Sequence, residues 1–335
     1  MRIAVDAMGG DNAPREIVKG AVEGAQGLSG ISRVILVGDQ DAIRKDLDLC
    51  PGRKDKIEIF HASEVVGMNE TPALAVRRKR DSSIGRAIDL VKTGDASAVV
   101  SAGNTGAVVV AATLKLRTLD GVERPAIAAV LPTTDRPFIL IDAGANTDCS
   151  PGMLGEFAYM GSVYSRMILR QPRPAVGLLS IGGEEIKGNE ITKETYGLLT
   201  DSSLNFRGNV EGHDLFRGET DVVVCDGFVG NIVLKTSEST ALAVARWTKQ
   251  EFVKNPLRLA GVLFLAGALK TMKRRLDPEM YGGAPLLGVN GVCIITHGSS
   301  SAKAIYHALR VAGDSVHHHL NETIVEEINK MGGEG

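Results

Sequence analysis

Two segments of this sequence share one pattern, an aliphatic run closed by Gly-x-x-Gly and followed by further apolar residues. In Thr220–Thr236 (TDVVVCDGFVGNIVLKT) the glycines are Gly227 and Gly230, and in Val99–Val109 (VVSAGNTGAVV) they are Gly103 and Gly106. The unbroken apolar run Val222–Cys225, within an expected strand Asp221–Cys225, fits a strand covered on both faces. Glycines tolerate a turn that side chains would block. A helix opening after such a turn, here expected from Asn231, offers unpaired N–H groups and a positive dipole end, which together hold anions. Two such corners would make a cleft with two anion-friendly walls. Ordinary strand-to-helix corners have the same sequence, so both readings stay open.

Other residues bear on the same chemistry. Lys187 lies in the Gly-rich stretch Ser180–Glu190 (SIGGEEIKGNE) beside Gly188 and Asn189. There it is either a compact cation for an anionic ligand or a solvated loop lysine. Asn231 can donate its amide to a ligand or cap a helix. Asn104 and Thr105 are candidates for the opposite wall. His61 and His297 close strands, where each could relay a proton, shape a channel or cap a helix. Asp6, Asp11 and Asp142 are lone acids at strand ends, read as helix caps, and no metal and no cofactor is expected. Cys225 precedes the turn and could form a covalent intermediate, but no base is recognisable near it, and it reads better as a buried strand cysteine. His317, His318 and His319 are consecutive on a helix and diverge, a poor metal site.

The elements that must position these residues alternate. Strands are expected at Arg2–Val5, Arg33–Gly38 and Lys56–Phe60. Helices follow with Asp11 or Asn12 capping the first, at Asp41–Leu47, after Thr71-Pro72, and from Ser82 or Ser83 to Gly94. This βαβα order predicts a three-layer α/β/α sandwich around a mostly parallel sheet. Ala126–Leu131 and Phe138–Ile141, joined by TTDRP, are spaced for a hairpin and predict some antiparallel pairing. Beyond them come a helix from Pro151 to about Leu169, a strand at Ala175–Ser180, a helix at Glu190–Leu199 and a strand at Gly291–Thr296. From Ala302 onward, Ile305, Leu309, Ala312, Val316, Leu320, Ile324 and Ile328 fall at helical spacing. With no flexible linker, residues 1–335 are expected to form one large catalytic unit.

Composition narrows the class. An apolar fraction of 44% with 23% charged residues is ordinary for a soluble globular protein, and a net charge of −2 argues against nucleic acid as partner. The four scattered cysteines lack a CxxC pair, so neither a disulfide framework nor a zinc site is expected. Met1–Val5 runs straight into a strand, which points to a cytoplasmic protein. No GxGxxG fingerprint, Walker A loop, GxSxG elbow or HExxH pair is present, which counts against nicotinamide-dependent Rossmann enzymes, P-loop NTPases, α/β-hydrolases and zincins.

Seven motifs in fixed order, DAMGGD, SAGNTGA, IDAGAN, IKGNE, CDGFVGNIVLKT, YGGAPLLG and THGSS, span most of the chain from the first strand to about Ser300. In this set the sequence resembles the PlsX-type phosphate acyltransferases. The resemblance implies a fold related to phosphotransacetylases and isopropylmalate-dehydrogenase-like proteins, in a homodimer. It also implies transfer of a fatty acyl group from acyl carrier protein to inorganic phosphate, giving an acyl phosphate for phospholipid synthesis, with a downstream membrane glycerol-3-phosphate acyltransferase as a further partner. On this reading Lys187 holds phosphate and Asn231 faces the thioester carbonyl, while Gly103, Asn104, Thr105, Gly106, Gly188, Gly227, Gly230, His61 and His297 line the substrate. A phosphotransacetylase-like enzyme acting on acyl-CoA, a β-decarboxylating dehydrogenase and a non-enzymatic membrane-surface scaffold are the competing classes.

Two surfaces stand apart. Within residues 246–283 the apolar GVLFLAGAL (Gly261–Leu269) is surrounded by Lys249, Lys254, Arg258, Lys270, Lys273, Arg274 and Arg275. It is too short to span a bilayer, and a helix lying on a membrane surface (residues 257–270) or a dimer contact both fit. The run Arg77-Arg78-Lys79-Arg80 is either a solvated helix end or a patch that steers the acidic carrier.

Overall fold

The computed structural model describes residues 1–275 and 277–333. The first part of the chain lays down β1 (Arg2–Asp6), α1 (Arg15–Gly27), β2 (Arg33–Gly38), α2 (Gln40–Leu49) and β3 (Ile57–His61). Next come α3 (Pro72–Arg78), α4 (Ser83–Lys92), β4 (Ala98–Ser101) and α5 (Thr105–Leu116). The centre holds β5 (Ala126–Leu131), β6 (Phe138–Ile141), α6 (Pro151–Met167), β7 (Ala175–Leu179), α7 (Glu190–Thr200), β8 (Asn205–Val210) and β9 (Val222–Val224). A long helical pair, α8 (Gly227–Val253) and α9 (Pro256–Arg275), precedes a 3₁₀ turn, Pro278–Tyr281. Then β10 (Ala284–Leu287), β11 (Val292–Ile295), α10 (Ala302–His317) and α11 (Leu320–Gly333) close the fold.

All the strands join one eleven-stranded sheet in the order β3-β2-β1-β4-β11-β10-β5-β6-β9-β7-β8. The flanks β3-β2-β1-β4-β11 and β6-β9-β7-β8 are each parallel. Between them the β11–β10, β10–β5 and β5–β6 pairs are antiparallel. Three reversals make the two parallel flanks run in opposite senses. The expected hairpin is present, with Val130 paired to Ile139.

Strand alternation divides the core between two faces. Ala4, Val99, Leu140 and Val223 point to the face covered by α3, α4, α5 and the start of α8. Val5, Val100, Ile294 and their neighbours pack under α1 and α10, while Ile139, Ile141, Val222 and Val224 pack under α6 and α11. The α/β/α layering expected from sequence is therefore present. Helix α1 seats on α10 through its small residues: a Cβ on Gly20 would sit 2.4 Å from the Ala302 carbonyl oxygen, and one on Gly24 2.5 Å from Leu309.

Several elements differ from expectation. Neither Asp11 nor Asn12 caps α1; Pro14 occupies the N-cap position, and the Asn12 amide instead donates to the Ser299 carbonyl at 3.3 Å. Strand β10 lies beyond the expected set; its four residues between glycines are too short to be read without knowing what they pair with. The C-terminal helix is two helices, broken where His319 takes a φ of 53°. Helix α8 starts at Gly227, four residues before the expected Asn231, with the Asp226 carboxylate capping the Val229 amide at 2.9 Å. Along α8 and α9, Leu242, Val244, Trp247, Val253, Phe264, Leu265 and Met272 are exposed. The side chains of Leu263, Lys273 and Arg274 lie outside the described residues. Among the described residues no helix is long and apolar enough to cross a membrane.

Two glycine substitutions separate packing from helix propensity. Gly197, within α7, has nothing within 4 Å of an added Cβ. Gly197→Ala should raise unfolding free energy by up to about 1 kcal/mol. Gly20→Ala offers the same propensity gain but drives a methyl into the α10 backbone, so a net loss of about 1–3 kcal/mol is expected in urea denaturation.

Candidate active site

In open α/β sheets ligands bind beyond the carboxyl ends of strands, at the crevice where adjacent strands send their helices to opposite faces. Two such crevices carry the Gly-x-x-Gly corners. Neighbouring strands β1 and β4 lead to α1 on one face and α5 on the other, and neighbouring strands β6 and β9 lead to α6 and α8 in the same manner. Each Gly-x-x-Gly corner closes one of these crevices. In each, a buried aspartate from the adjacent strand packs under the first glycine. A Cβ on Gly103 would lie 3.1 Å from Asp6 Oδ2, and one on Gly227 2.8 Å from Asp142 Oδ2. The sequence signal for this partner is the Asp-Ala dipeptide in VDAMGG and IDAGAN; read as lone acids, these residues pass for helix caps.

At the β6/β9 crevice Asp142 is wholly buried. Its Oδ1 accepts from the amides of Ile127, Gly144 and Ala145, each at 3.0 Å. Its Oδ2 accepts from the Asn146 amide at 2.7 Å and the Asn146 side chain at 2.9 Å. Burial holds this carboxyl above its ordinary range, although the ring of N–H donors opposes the rise. The loop so formed receives α8: the Gly227 amide donates to the Asn146 carbonyl at 2.7 Å. A Cβ on Gly230 would lie 1.8 Å from the Asp142 carbonyl oxygen, so only glycine fits. The Gly230 amide donates to the Asp226 carbonyl at 2.9 Å. The resemblance sets the backbone N–H groups of Gly230 and Asn231 alongside the Asn231 amide, toward the thioester carbonyl; they are instead part of the helix, and Asp226 places a carboxylate at its mouth. What α8 presents is the Asn231 side chain, exposed one turn in, beside Gly144.

Lys187 and Gly188 lie in the loop after β7, which is parallel to β9 and hydrogen-bonded to it. The segments that follow β6, β9 and β7 thus lie at one end of the sheet: the loop Asp142–Asn146, the first turn of α8 with Asn231, and the loop holding Lys187. Gly188 has a φ of 108°, and a Cβ there would lie 2.1 Å from Thr192 Oγ1. Asn189 caps α7 by accepting from the Thr192 amide at 2.9 Å. Lys187 is exposed. Among the described residues neither its ammonium nor the Asn231 amide makes a hydrogen bond or ion pair.

The β1/β4 crevice is built differently. Asp6 accepts from Ser101 Oγ at 2.7 Å and from the Met8 amide at 3.3 Å, and burial raises its carboxyl above the ordinary range. Asn104 caps α5 through the Ala107 amide at 3.0 Å, and its own amide donates to the carbonyls of Gly67, Met68 and Glu70 at 3.3, 3.0 and 3.1 Å. Its hydrogen bonds are thus made within the protein; it pins a loop rather than offering a free wall. Pro72 covers Gly106, its Cγ 2.6 Å from a Cβ placed there, and Thr105 is exposed as the first residue of α5. His297, at the adjoining end of β11, is exposed, and its Nδ1 accepts from the Ser299 amide at 3.2 Å. That fixes Nε2–H as the outward donor in the neutral ring. His61 lies farther out, as the last residue of β3, where its Nδ1 accepts from the Gln40 amide at the start of α2 at 3.4 Å. Four strands of the sheet separate β4 from β9, and among the described residues no hydrogen bond links the two corners or Lys187 to the β1/β4 crevice.

The thiols at this site are poor nucleophiles. Cys225 is buried and its Sγ donates to the Asp142 carbonyl at 3.6 Å. Burial, with Asp226 and Asp142 nearby, holds its thiol well above the usual range. Cys149 is pushed up to about 12, chiefly by burial and then by Asp142. Only the thiolate attacks, so neither is activated.

The whole-chain architecture is that of the phosphotransacetylase-type α/β proteins. A phosphotransacetylase from Streptococcus pyogenes superposes with a TM-score of 0.63 at 18% identity, covering 94% of each chain. A 4-hydroxythreonine-4-phosphate dehydrogenase from Klebsiella pneumoniae superposes at 0.50 and 16% identity, covering 96% of this chain and 99% of that one. Sequence goes further. The model of the family described as fatty acid synthesis protein matches residues 1–323. Phosphate acyltransferase of Pelobacter propionicus is 51% identical over 98% of this chain and 95% of its own length, and that of Geobacter sulfurreducens 48% identical over 98% and 94%. The chain belongs to the PlsX-type phosphate acyltransferases, enzymes of fatty acid and phospholipid synthesis.

Two substitutions test this geometry. Cys225→Ala should keep turnover within about twofold, because a protonated buried thiol supplies no nucleophile; steady-state kinetics check this. Asp142→Asn turns one acceptor oxygen into a donor facing N–H groups, and should cost on the order of 2–3 kcal/mol in urea denaturation.

Proposed function

We propose that the protein transfers a fatty acyl group from acyl-acyl-carrier-protein to inorganic phosphate, and that the end of the sheet carrying Lys187 and Asn231 performs the step. The observation that supports this most is the contrast in hydrogen bonding. The amides of Asn104 and Asn146 donate within the protein, whereas the heads of Lys187, in the loop after β7, and Asn231, in the first turn of α8, have no partner among the described residues.

Lys187, a compact cation, holds phosphate close to the thioester and offsets part of its charge. A phosphate oxygen attacks the thioester carbonyl carbon, and the Asn231 amide donates to the carbonyl oxygen as it becomes an oxyanion. The C–S bond then breaks and the electron pair leaves on the carrier's sulfur. A thiolate is a stable leaving group, so no strong general acid is required. The products are acyl phosphate and free carrier protein. On this reading Gly103, Thr105, Gly106 and His297 belong to the other crevice, on the flank of opposite sense, and take no part in the bonds that form and break.

The same reading assigns the α8–α9 pair to a contact outside the subunit, either the second copy of a homodimer or a membrane surface, in keeping with its exposed Trp247 and Phe264. A cytoplasmic enzyme resting on a membrane would deliver acyl phosphate to a membrane acyltransferase acting next in the sequence.

Purified protein given acyl-carrier protein and phosphate should yield a product that hydroxylamine traps as a hydroxamate. Folded protein that gives none rejects the assignment, and equal efficiency with acyl-CoA would favour a phosphotransacetylase-like donor. Lys187→Ala and Asn231→Ala should each lower kcat by roughly 10²–10³-fold.

A further inference from the structure

The basic run after the β3 loop is built into the β1/β4 crevice in a way its sequence does not disclose. The Asn104 amide holds the carbonyls of Gly67, Met68 and Glu70. Pro72, the first residue of α3, lies against Gly106, and Met68 Cε would be 2.8 Å from a Cβ on Gly298, next to His297. The segment that ends in Arg77-Arg78-Lys79-Arg80 is therefore fastened to the mouth of the crevice at three points.

Its charges are not balanced. Lys79 is paired with Glu70 and also donates to the Val65 carbonyl at 2.7 Å. Asp81 is paired with Arg86 at 2.8 Å and accepts from Ser63, and Glu64 accepts from the Asp81 amide at 2.9 Å. The nearby acids are thus engaged by other groups. Arg77, Arg78 and Arg80 are exposed and have no ion pair among the described residues. Leu74 shares one helix face with Arg77 and Arg78 by its i,i+3 and i,i+4 spacing, and is 49% exposed. Met68, in the loop before α3, is 42% exposed. Cations that are not neutralised locally, around exposed aliphatic side chains, fit a surface of opposite charge with a small apolar contact.

We propose that this face, Arg77, Arg78 and Arg80 around Leu74 and Met68, is where the acidic carrier protein docks to present its acyl thioester. The inference rests on the acyl-carrier reading above and adds the surface that recognises the carrier. The arginines raise encounter rate and local concentration of an acidic partner, and their effect weakens as salt screens it. They act on binding of the carrier and not on the bonds that form and break.

The test compares wild type with a triple variant, Arg77→Glu, Arg78→Glu and Arg80→Glu, and with a charge-conserving control carrying lysine at the same positions. For the glutamate variant the KM for acyl-carrier protein should rise at least about tenfold with kcat little changed. Turnover of acyl-pantetheine, an uncharged small thioester, and the KM for phosphate should stay at wild-type values. The lysine control should keep most of the wild-type KM, and wild-type KM should climb with ionic strength while the glutamate variant's does not. Calorimetric titration of the carrier into each protein reads docking without turnover. Equal carrier affinity in wild type and the glutamate variant overturns the proposal. So does a change in oligomeric state on gel filtration, which would make the face a contact between copies of this chain. A wild type that binds carrier through these arginines but forms no acyl phosphate would reject the reaction and leave the docking surface standing.

Discussion

The carboxylate of Asp142 gathers donors from the start of β5 and from its own following loop, and everything at the β6/β9 crevice is placed relative to it. A charge this deeply buried is tolerated only when its lone pairs are filled. Filling them from Ile127, Gly144, Ala145 and Asn146 forces the loop to coil around the acid. The coiled loop then sets where α8 can begin. Gly227 donates into it and Gly230 passes so near the Asp142 carbonyl that no side chain fits. With those two contacts made, helical geometry leaves Asn231 facing outward beside Gly144.

The β1/β4 crevice uses the same device with Asp6, Ser101 and Gly103, and this repetition explains how two flanks of opposite sense carry similar motifs. Each flank is a parallel sheet with its own switch between faces, and each needs an acid to bind the strand-end loop and a glycine to clear it. The crevices then diverge in what they leave available. Beside Asp6 the polar capacity of Asn104 is consumed in fixing the Gly67–Glu70 loop, so the crevice offers shape and the His297 ring. On the other flank, among the described residues, the Asn231 amide beside Gly144 and the Lys187 ammonium after β7 make no hydrogen bond or ion pair.

Much of this was legible in the sequence. The alternation of strands and helices, the duplicated corner and the hairpin at β5–β6 follow from local patterns that packing did not override. The start of α8 was not, because Gly-Phe-Val-Gly reads as a turn on helix propensity. The glycines are there for close approach to Asp142, and tertiary contact decides the conformation. Strand β10 could not be seen because its reason for being extended is a pair of distant partners, Ile295 and Ile127, on either side of it. The break at His318–His319 carries no glycine or proline to announce it. Asp142 itself was legible as a lone acid at a strand end and read as a helix cap, because the donors that fill its lone pairs come from a loop and a strand that only the fold brings around it.

The asparagines were the hardest to sort, and the hydrogen bonds of their side chains are what separate them. A sequence shows Asn104, Asn146, Asn189 and Asn231 alike, each after a strand and near a glycine. In the fold, three of them serve as caps or loop pins, with their hydrogen-bonding capacity directed at the backbone. Such groups cannot turn to a substrate without leaving backbone carbonyls or amides unsatisfied, at about 1–3 kcal/mol each. Asn231 carries no such obligation, because α8 is capped by Asp226 and its first amides are already bonded. Relieving Asn231 of structural duty is thus the consequence of starting the helix one turn early. The buried aspartate that fixes that start is, by this chain of contacts, what leaves the amide free of a capping duty.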